Sequence, residues 1–300
     1  MIHECIEKLI KNVPTNETIL IDVVVDGGLF NGSYLAGALC FLKEMEKKNL
    51  VQVERISGAS IGSFIAFLYL IDALDMIIPL YNIISTEIKI NHNLNIITKI
   101  KILLEGKIST NVCSLLQKRL YISYYNLLKC KKIVKHKYKN IDDILQTIIK
   151  SCYIPFLIDG NLLYKNKYID GFNPYFFKAM KNKKILYLDL CGYDKVFHIF
   201  NIKNEKSNYH RVLSGLLDIH NFFIKQSSTS MCSYVDEWTI INTITYNIKL
   251  LIEKIIVYLF YIIVNINHAL PFSIKSTIFS KIISITSFDI FTICLDHYCL

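Results

Sequence analysis

Ile56-Ser57-Gly58-Ala59-Ser60-Ile61-Gly62 lies between a short β-rich run, Val51 to Ile56, and an apolar stretch, Ser63 to Leu70, long enough for a helix. A serine on a tight turn between a strand and a helix is thrust out of the backbone. Flanking glycines leave room for the sharp turn and for close packing around it. The pattern G-x-S-x-G therefore marks Ser60 as a candidate nucleophile, with Gly58 and Gly62 supporting the turn. Small-residue turns are also common as plain structural elements, so the motif needs company.

A second glycine-rich turn lies upstream at another expected strand-to-helix junction. It follows Ile19 to Val25 and reads Asp26-Gly27-Gly28-Leu29-Phe30-Asn31-Gly32, ahead of a helix carrying Tyr34, Gly37, Ala38 and Leu42. Backbone N–H groups at such a turn are free to face a developing negative charge, as acyl transfer requires opposite the attacked carbonyl. A phosphate-binding loop is the competing reading. The G-x-G-x-x-G spacing is not met, however, and no Gly-Lys-Ser/Thr follows.

The third piece is Asp170, in Tyr168-Ile169-Asp170-Gly171-Phe172-Asn173-Pro174, preceded by Ser151-Cys152-Tyr153-Ile154-Pro155-Phe156. Taken in order, an Asp-Gly-Gly turn, G-x-S-x-G, an (Ala/Ser)-x-x-Ile-Pro segment and Asp-Gly resemble the patatin-like phospholipases over about residues 18–192. The resemblance implies a Ser–Asp dyad that needs no histidine, with Ser60 as nucleophile and Asp170 as base. It also implies an oxyanion hole from the amides around Gly27, Gly28 and Leu29, with Gly32 and Gly171 as supporting glycines. The fold it implies is a three-layer α/β/α domain with a mainly parallel central sheet.

Three departures from the family pattern stand out. Leu29 occupies the place of a usual third glycine and tolerates positive φ poorly. Asn31 stands where an Arg or Lys often helps to hold an anionic headgroup. Phe172 and Asn173-Pro174 follow Asp-Gly at once, which shortens the loop beside the dyad. Leu29 and the short loop motivate one alternative, a non-enzymatic membrane-associated protein that retains the fold. A second alternative is an α/β-hydrolase with a Ser-His-Asp triad, drawing on His198, His210 or His220 and on Asp189, Asp194 or Asp218.

The 300 residues are 52% hydrophobic with a mean hydropathy of +0.35, enough for a large core and more apolar than an ordinary soluble chain requires. Three regions are expected: an N-terminal amphipathic helix (1–17), a lipid acyl hydrolase domain (18–235) and an apolar helical extension (236–300). The N-terminus has no uninterrupted apolar stretch or cleavage site of the secretory kind. Nine scattered cysteines without a C-x-x-C pair predict reduced thiols, not a disulfide framework or a zinc site. No metal or other cofactor is expected.

Residues 71–150 read as mostly helical, with helices expected over Asn91 to Leu104 and Ser109 to Leu120. The densest basic run, Lys129 to Lys139, reads as a solvated loop or an anionic-lipid contact, with no nucleic acid partner expected. A strand over Lys184 to Leu190 and a helix over Tyr209 to Ser227 should complete the domain. Residues 255–274 lack Asp, Glu, Lys and Arg, but Asn265, Asn267, His268 and Pro271 interrupt them. Insertion into a membrane surface is favoured over a span. Residues 276–300 add a further apolar segment. The expected setting is intracellular, on the cytoplasmic face of membranes, with membrane lipids as substrate.

Overall fold

The computed structural model describes residues 2–14, 17–104, 106–108, 111–192, 194–199, 201–203, 205, 207–269 and 293. Its centre is a sheet with strands in the order β4-β3-β2-β1-β6-β7: β1 (Ile19–Val25), β2 (Val51–Ala59), β3 (Leu120–Asn126), β4 (Lys131–Lys135), β6 (Lys184–Leu188) and β7 (Cys232–Tyr234). The short β5 (Tyr168–Ile169) also pairs with β3, antiparallel. The four inner strands β3, β2, β1 and β6 run parallel, and the edges β4 and β7 are antiparallel. Parallel strands covered on both faces should be nearly continuous in apolar residues. β1 reads Ile-Leu-Ile-Asp-Val-Val-Val, and its one charge, Asp22, is buried in an ion pair with Arg55.

The helices are α1 (Ile2–Ile10), α2 (Gly32–Lys47), α3 (Ile61–Leu70), α4 (Ile77–Asn91), α5 (Ile100–Leu103), α6 (Val112–Leu116), α7 (Ile141–Ser151), α8 (Tyr209–Lys225) and α9 (Ile240–Ala269). Asn140 caps α7 by accepting the Asp143 N–H at 2.9 Å, with two aspartates in the first turn where the helix dipole favours them. α2 lies directly against α8: a Cβ on Gly37 would come within 1.8 Å of the Val212 carbonyl oxygen, and one on Gly215 within 1.8 Å of that of Tyr34. Only glycines permit that backbone contact. The main core joins α1, α2, α3, α7 and α8 to the sheet.

The mainly parallel, helix-flanked sheet agrees with the expected architecture, as do α1, β1, β2 and α8. The stretch 71–150 does not. Leu120-Tyr-Ile-Ser-Tyr-Tyr-Asn126 is a strand, rich in the aromatic residues that fit a pleated surface, so the helix expected up to Leu120 shrinks to α6. The start of that expectation, at residue 109, lies outside the described residues. The stretch 91–104 folds as a 3₁₀ turn, Asn95–Lys99, followed by the single turn of α5. The basic run is an edge strand in its middle instead of a loop. There Lys132 pairs with Glu253 and Lys135 with Asp143, while Lys129, Lys131, Lys137 and Lys139 are exposed. Lysines on an edge strand also discourage pairing with another chain.

Among the described residues, no helix is long and apolar enough to cross a membrane. α9 has two faces. Glu253, Val257 and Val264 are buried against the domain, whereas Ile241, Ile244, Ile248, Ile255, Leu259 and Ile263 are exposed. Residues 270–300, except residue 293, lie outside the described residues and include nearly all of the segment expected over 276–300. The cysteines at 5, 40, 113, 130, 152, 191 and 232 are free thiols, and positions 294 and 299 are outside the described residues.

Candidate active site

The carboxyl ends of β1 and β2 open side by side, with the helices that follow them, α2 and α3, packed in the same core. In open α/β sheets ligands bind beyond the carboxyl ends of the strands. The Asp26-Gly27-Gly28 turn leaves β1, and Ser60 leaves β2. Gly62 brings them together: a Cβ there would lie 2.4 Å from the Asp26 carbonyl oxygen. Gly58 packs in the same way against the Gly62–Ser63 backbone, and Gly32 lies under Ile61 and Ile65.

Ser60 adopts φ 51° and ψ −135° at the head of α3. For a non-glycine residue this is a strained conformation, of order 1–3 kcal/mol, held by its surroundings. Its N–H donates to Ser151 Oγ at 2.9 Å, and Ser151 Oγ donates to the Ser123 carbonyl at 2.7 Å. Its carbonyl accepts from Ser63 Oγ at 2.7 Å. The Ser60 turn is thereby tied to β3 and α7.

Asp170 follows β5. Its N–H donates to the Tyr153 carbonyl at 2.9 Å, and Gly171 lies on the Ser123 carbonyl so closely that a Cβ would come within 2.0 Å. The carboxylate is 4% exposed. Oδ1 accepts from the Phe172 N–H at 2.7 Å, while Oδ2 is buried with no hydrogen-bond partner. Burial pushes the Asp170 pKa up to about 7, against the lowering pull of the Ser60 hydroxyl and the Phe172 N–H. Glu253 raises it further and Lys132 lowers it. The Ser60 hydroxyl thus lies within reach of the carboxylate without closing a well-formed hydrogen bond to Oδ2. Ser60 and Asp170, 110 positions apart in the numbering, are brought together.

In the first glycine turn, the Gly27 N–H is occupied: it donates to Asp26 Oδ1 at 3.0 Å. The Gly28 and Leu29 N–H groups donate to no described atom. Leu29 sits at φ 42°, the positive value that the missing third glycine foretells. Its side chain begins a shallow apolar groove, lined further by Ile61, Phe64, Tyr81, Ile84 and Ile97. The α4 region and the 3₁₀ turn that follows it therefore wall the groove beside Ser60, although no continuous helix forms over 91–104.

Asn31 is wholly buried. It donates to the carbonyls of Leu190 and Lys195, both at 2.9 Å, and accepts from Arg211 at 2.9 Å. Arg211 is buried as well and is also held by Glu205 and the carbonyls of His198 and Asn201. Neither side chain is free to meet a headgroup. Two histidines of the triad alternative have other neighbours: His210 faces Glu205 at 3.3 Å, and His220 meets Phe41 edge to face, its pKa lowered by burial. The aspartates that would partner them are engaged too: Asp189 pairs with Lys249, Asp194 with Lys195, and Asp218 accepts from Thr229 and Ser230.

Sequence reasoning missed the contribution of α9. Glu253 accepts from Tyr125 and Lys132, both at 2.8 Å, and from Asn173 at 2.9 Å, and Lys249 reaches Asp26. A lysine and a glutamate four apart inside an apolar stretch were the available signal.

No curated protein matches the chain. The patatin-like phospholipase family model matches residues 23–108, a span that contains both glycine-rich turns and Ser60 but ends before Asp170. Such a domain suggests lipid acyl hydrolase activity. Residues 23–108 are thus similar to the patatin-like phospholipases, and the helix-flanked, mainly parallel sheet is consistent with that fold.

Proposed function

We propose that the protein hydrolyses acyl esters of membrane lipids, glycerophospholipids or related acylglycerols, through Ser60 and Asp170. The observation that carries this reading is the buried, unpartnered Oδ2 of Asp170 beside a strained Ser60. A carboxylate with its pKa near neutrality is a far better base than one in water. Asp170 takes the Ser60 proton as Oγ attacks the carbonyl carbon, and the free amides of Gly28 and Leu29 receive the oxyanion. Collapse expels the alcohol of the lipid, which takes the proton back from Asp170. A water molecule, deprotonated by Asp170, then cleaves the acyl-serine to fatty acid and free Ser60.

The groove starting at Leu29 and Ile61 suits one acyl chain, each buried methylene contributing ~0.8 kcal/mol. The substrate's home is a bilayer, and the outer face of α9 suits peripheral contact with one. Its isoleucines are exposed, and Lys129, Lys131 and Lys254 are exposed on the chain, whose net charge is +9. Fluorophosphonate labelling tests the reading. Wild-type protein should be modified on Ser60, as located by peptide mass spectrometry, and Ser60→Ala should not. Unlabelled, folded wild type would instead support the non-enzymatic alternative.

A further inference from the structure

α9 is 30 residues long, about 45 Å at 1.5 Å per residue, and lies outside the span matched by the family model. Two of its charged residues turn inward, four positions apart and so on one face. Lys249 Nζ lies 2.6 Å from Asp189 Oδ1 and 3.3 Å from Asp26 Oδ2, which also accepts from Tyr187 at 2.9 Å. The other oxygen of Asp26 holds the Gly27 N–H. Lys249 is thus one residue removed from the glycine turn.

Glu253 does the same on the other side. Its Oε2 holds the Asn173 side chain, three residues after Asp170, and its Oε1 gathers Tyr125 and Lys132 from the β3–β4 edge. The shortened loop after Asp-Gly is therefore fastened by a residue of the extension. Burial raises the Asp26 pKa and Lys249 lowers it; burial works to lower the Lys249 pKa, while Asp26 and Asp189 raise it. Each partner holds the other in its charged form.

We propose that α9 belongs to the catalytic apparatus, with Lys249 and Glu253 as positioning residues that clamp the oxyanion turn and the Asp170 loop respectively. The proposal rests on the Ser60–Asp170 reading and adds to it that the two halves of the site are aligned by one helix. Three charged or titratable groups act on Asp170, Cys152 after α7, Lys132 on β4 and Glu253 on α9, beside the neutral Ser60 hydroxyl from the β2–α3 turn. The signs of their influence make the role measurable.

The experiment measures kcat and KM against pH on full-length protein with a soluble p-nitrophenyl ester. Glu253→Gln keeps the side-chain volume and an acceptor for Tyr125. It should move the acidic limb of kcat/KM down by about half a pH unit, because a negative charge near Asp170 is gone. Lys132→Met, on a partly exposed edge strand, should move the limb up. Loosened packing alone would lower activity in both without opposite displacements. Lys249→Met should lower kcat about tenfold at unchanged KM, and Lys249→Arg should restore most of it. Should Lys249→Met not fold, the opposite limb shifts decide. Unmoved limbs, shifts of one sign, or wild-type kcat in folded Lys249→Met would overturn the proposal. Wild type that takes up no fluorophosphonate fails the Ser60–Asp170 reading itself; labelled wild type with unmoved limbs fails only the role of α9.

Discussion

Gly27 lies against Ser60: a Cβ on the glycine would stand 3.0 Å from the Cβ of the serine and 3.1 Å from the Phe172 carbonyl oxygen. The Asp26-Gly27-Gly28 turn, Ser60 and the loop after Asp170 therefore meet at one glycine. Gly27→Ala should push all three apart by tenths of an ångström. We expect kcat to fall by about 10-fold or more with a stability loss of ~1–3 kcal/mol. Full activity in the alanine variant would show that the turn has slack that the packing does not suggest.

Ser60→Ala should abolish ester hydrolysis and Asp170→Asn should reduce it by orders of magnitude, since an amide cannot accept the serine proton. Wild-type activity should rise with pH through about 7, as Asp170 ionises. Replacing His198, His210 or His220 singly should leave turnover in place. A folded histidine variant with no activity would point instead to a triad.

The raised pKa of Asp170 also carries a stability cost. The folded carboxyl binds its proton up to about pH 7, whereas the unfolded one releases it near 3.8. Between those values the native state holds more protons, so stability falls as pH rises. Asp170→Asn retains an acceptor for the Phe172 N–H and never ionises. It should exceed wild type by ~4 kcal/mol at pH 8, and the difference should fall below ~1 kcal/mol by pH 4. Denaturant melts at the two pH values measure it, and a gap independent of pH would contradict the burial argument.

Leu29→Gly should relieve ~1 kcal/mol of left-handed strain while keeping the N–H that we propose faces the oxyanion. Its side chain also walls the groove. We therefore expect kcat to hold or rise, with KM increasing more for long-chain than for short-chain esters. Lost turnover on a short ester would mean that the side chain itself sets the hole.

On vesicles, replacing Ile248, Ile255 and Leu259 by serine should weaken sedimentation at every ionic strength, because burial of apolar area is insensitive to salt screening. Replacing the exposed Lys129, Lys131 and Lys137 by glutamine should weaken it chiefly on anionic lipid at low salt. Unchanged sedimentation of the serine variant would remove α9 as the contact surface.

The two glycine-rich turns were legible in the chain because their geometry is local: a tight strand-to-helix turn needs small residues at fixed spacing, and the spacing survives in one dimension. β1, β2, α1, α3 and α8 were legible for a similar reason, their apolar pattern matching their burial. Leu120 to Asn126 misled because a buried strand and a helix segment can share one apolar run, and Lys131 to Lys135 because an edge strand dense in lysines reads as a loop. What only the tertiary structure decided are the contacts with no sequence period. Lys249 meets Asp26 across 223 residues, Arg211 fills the space beside Asn31 across 180, and Glu253 fastens the Asp170 loop across 80. A charge inside an apolar run shows in the sequence, but its partner is named only when the chain closes on itself, since burial of a charge is tolerated only where an opposite charge or a hydrogen bond awaits it.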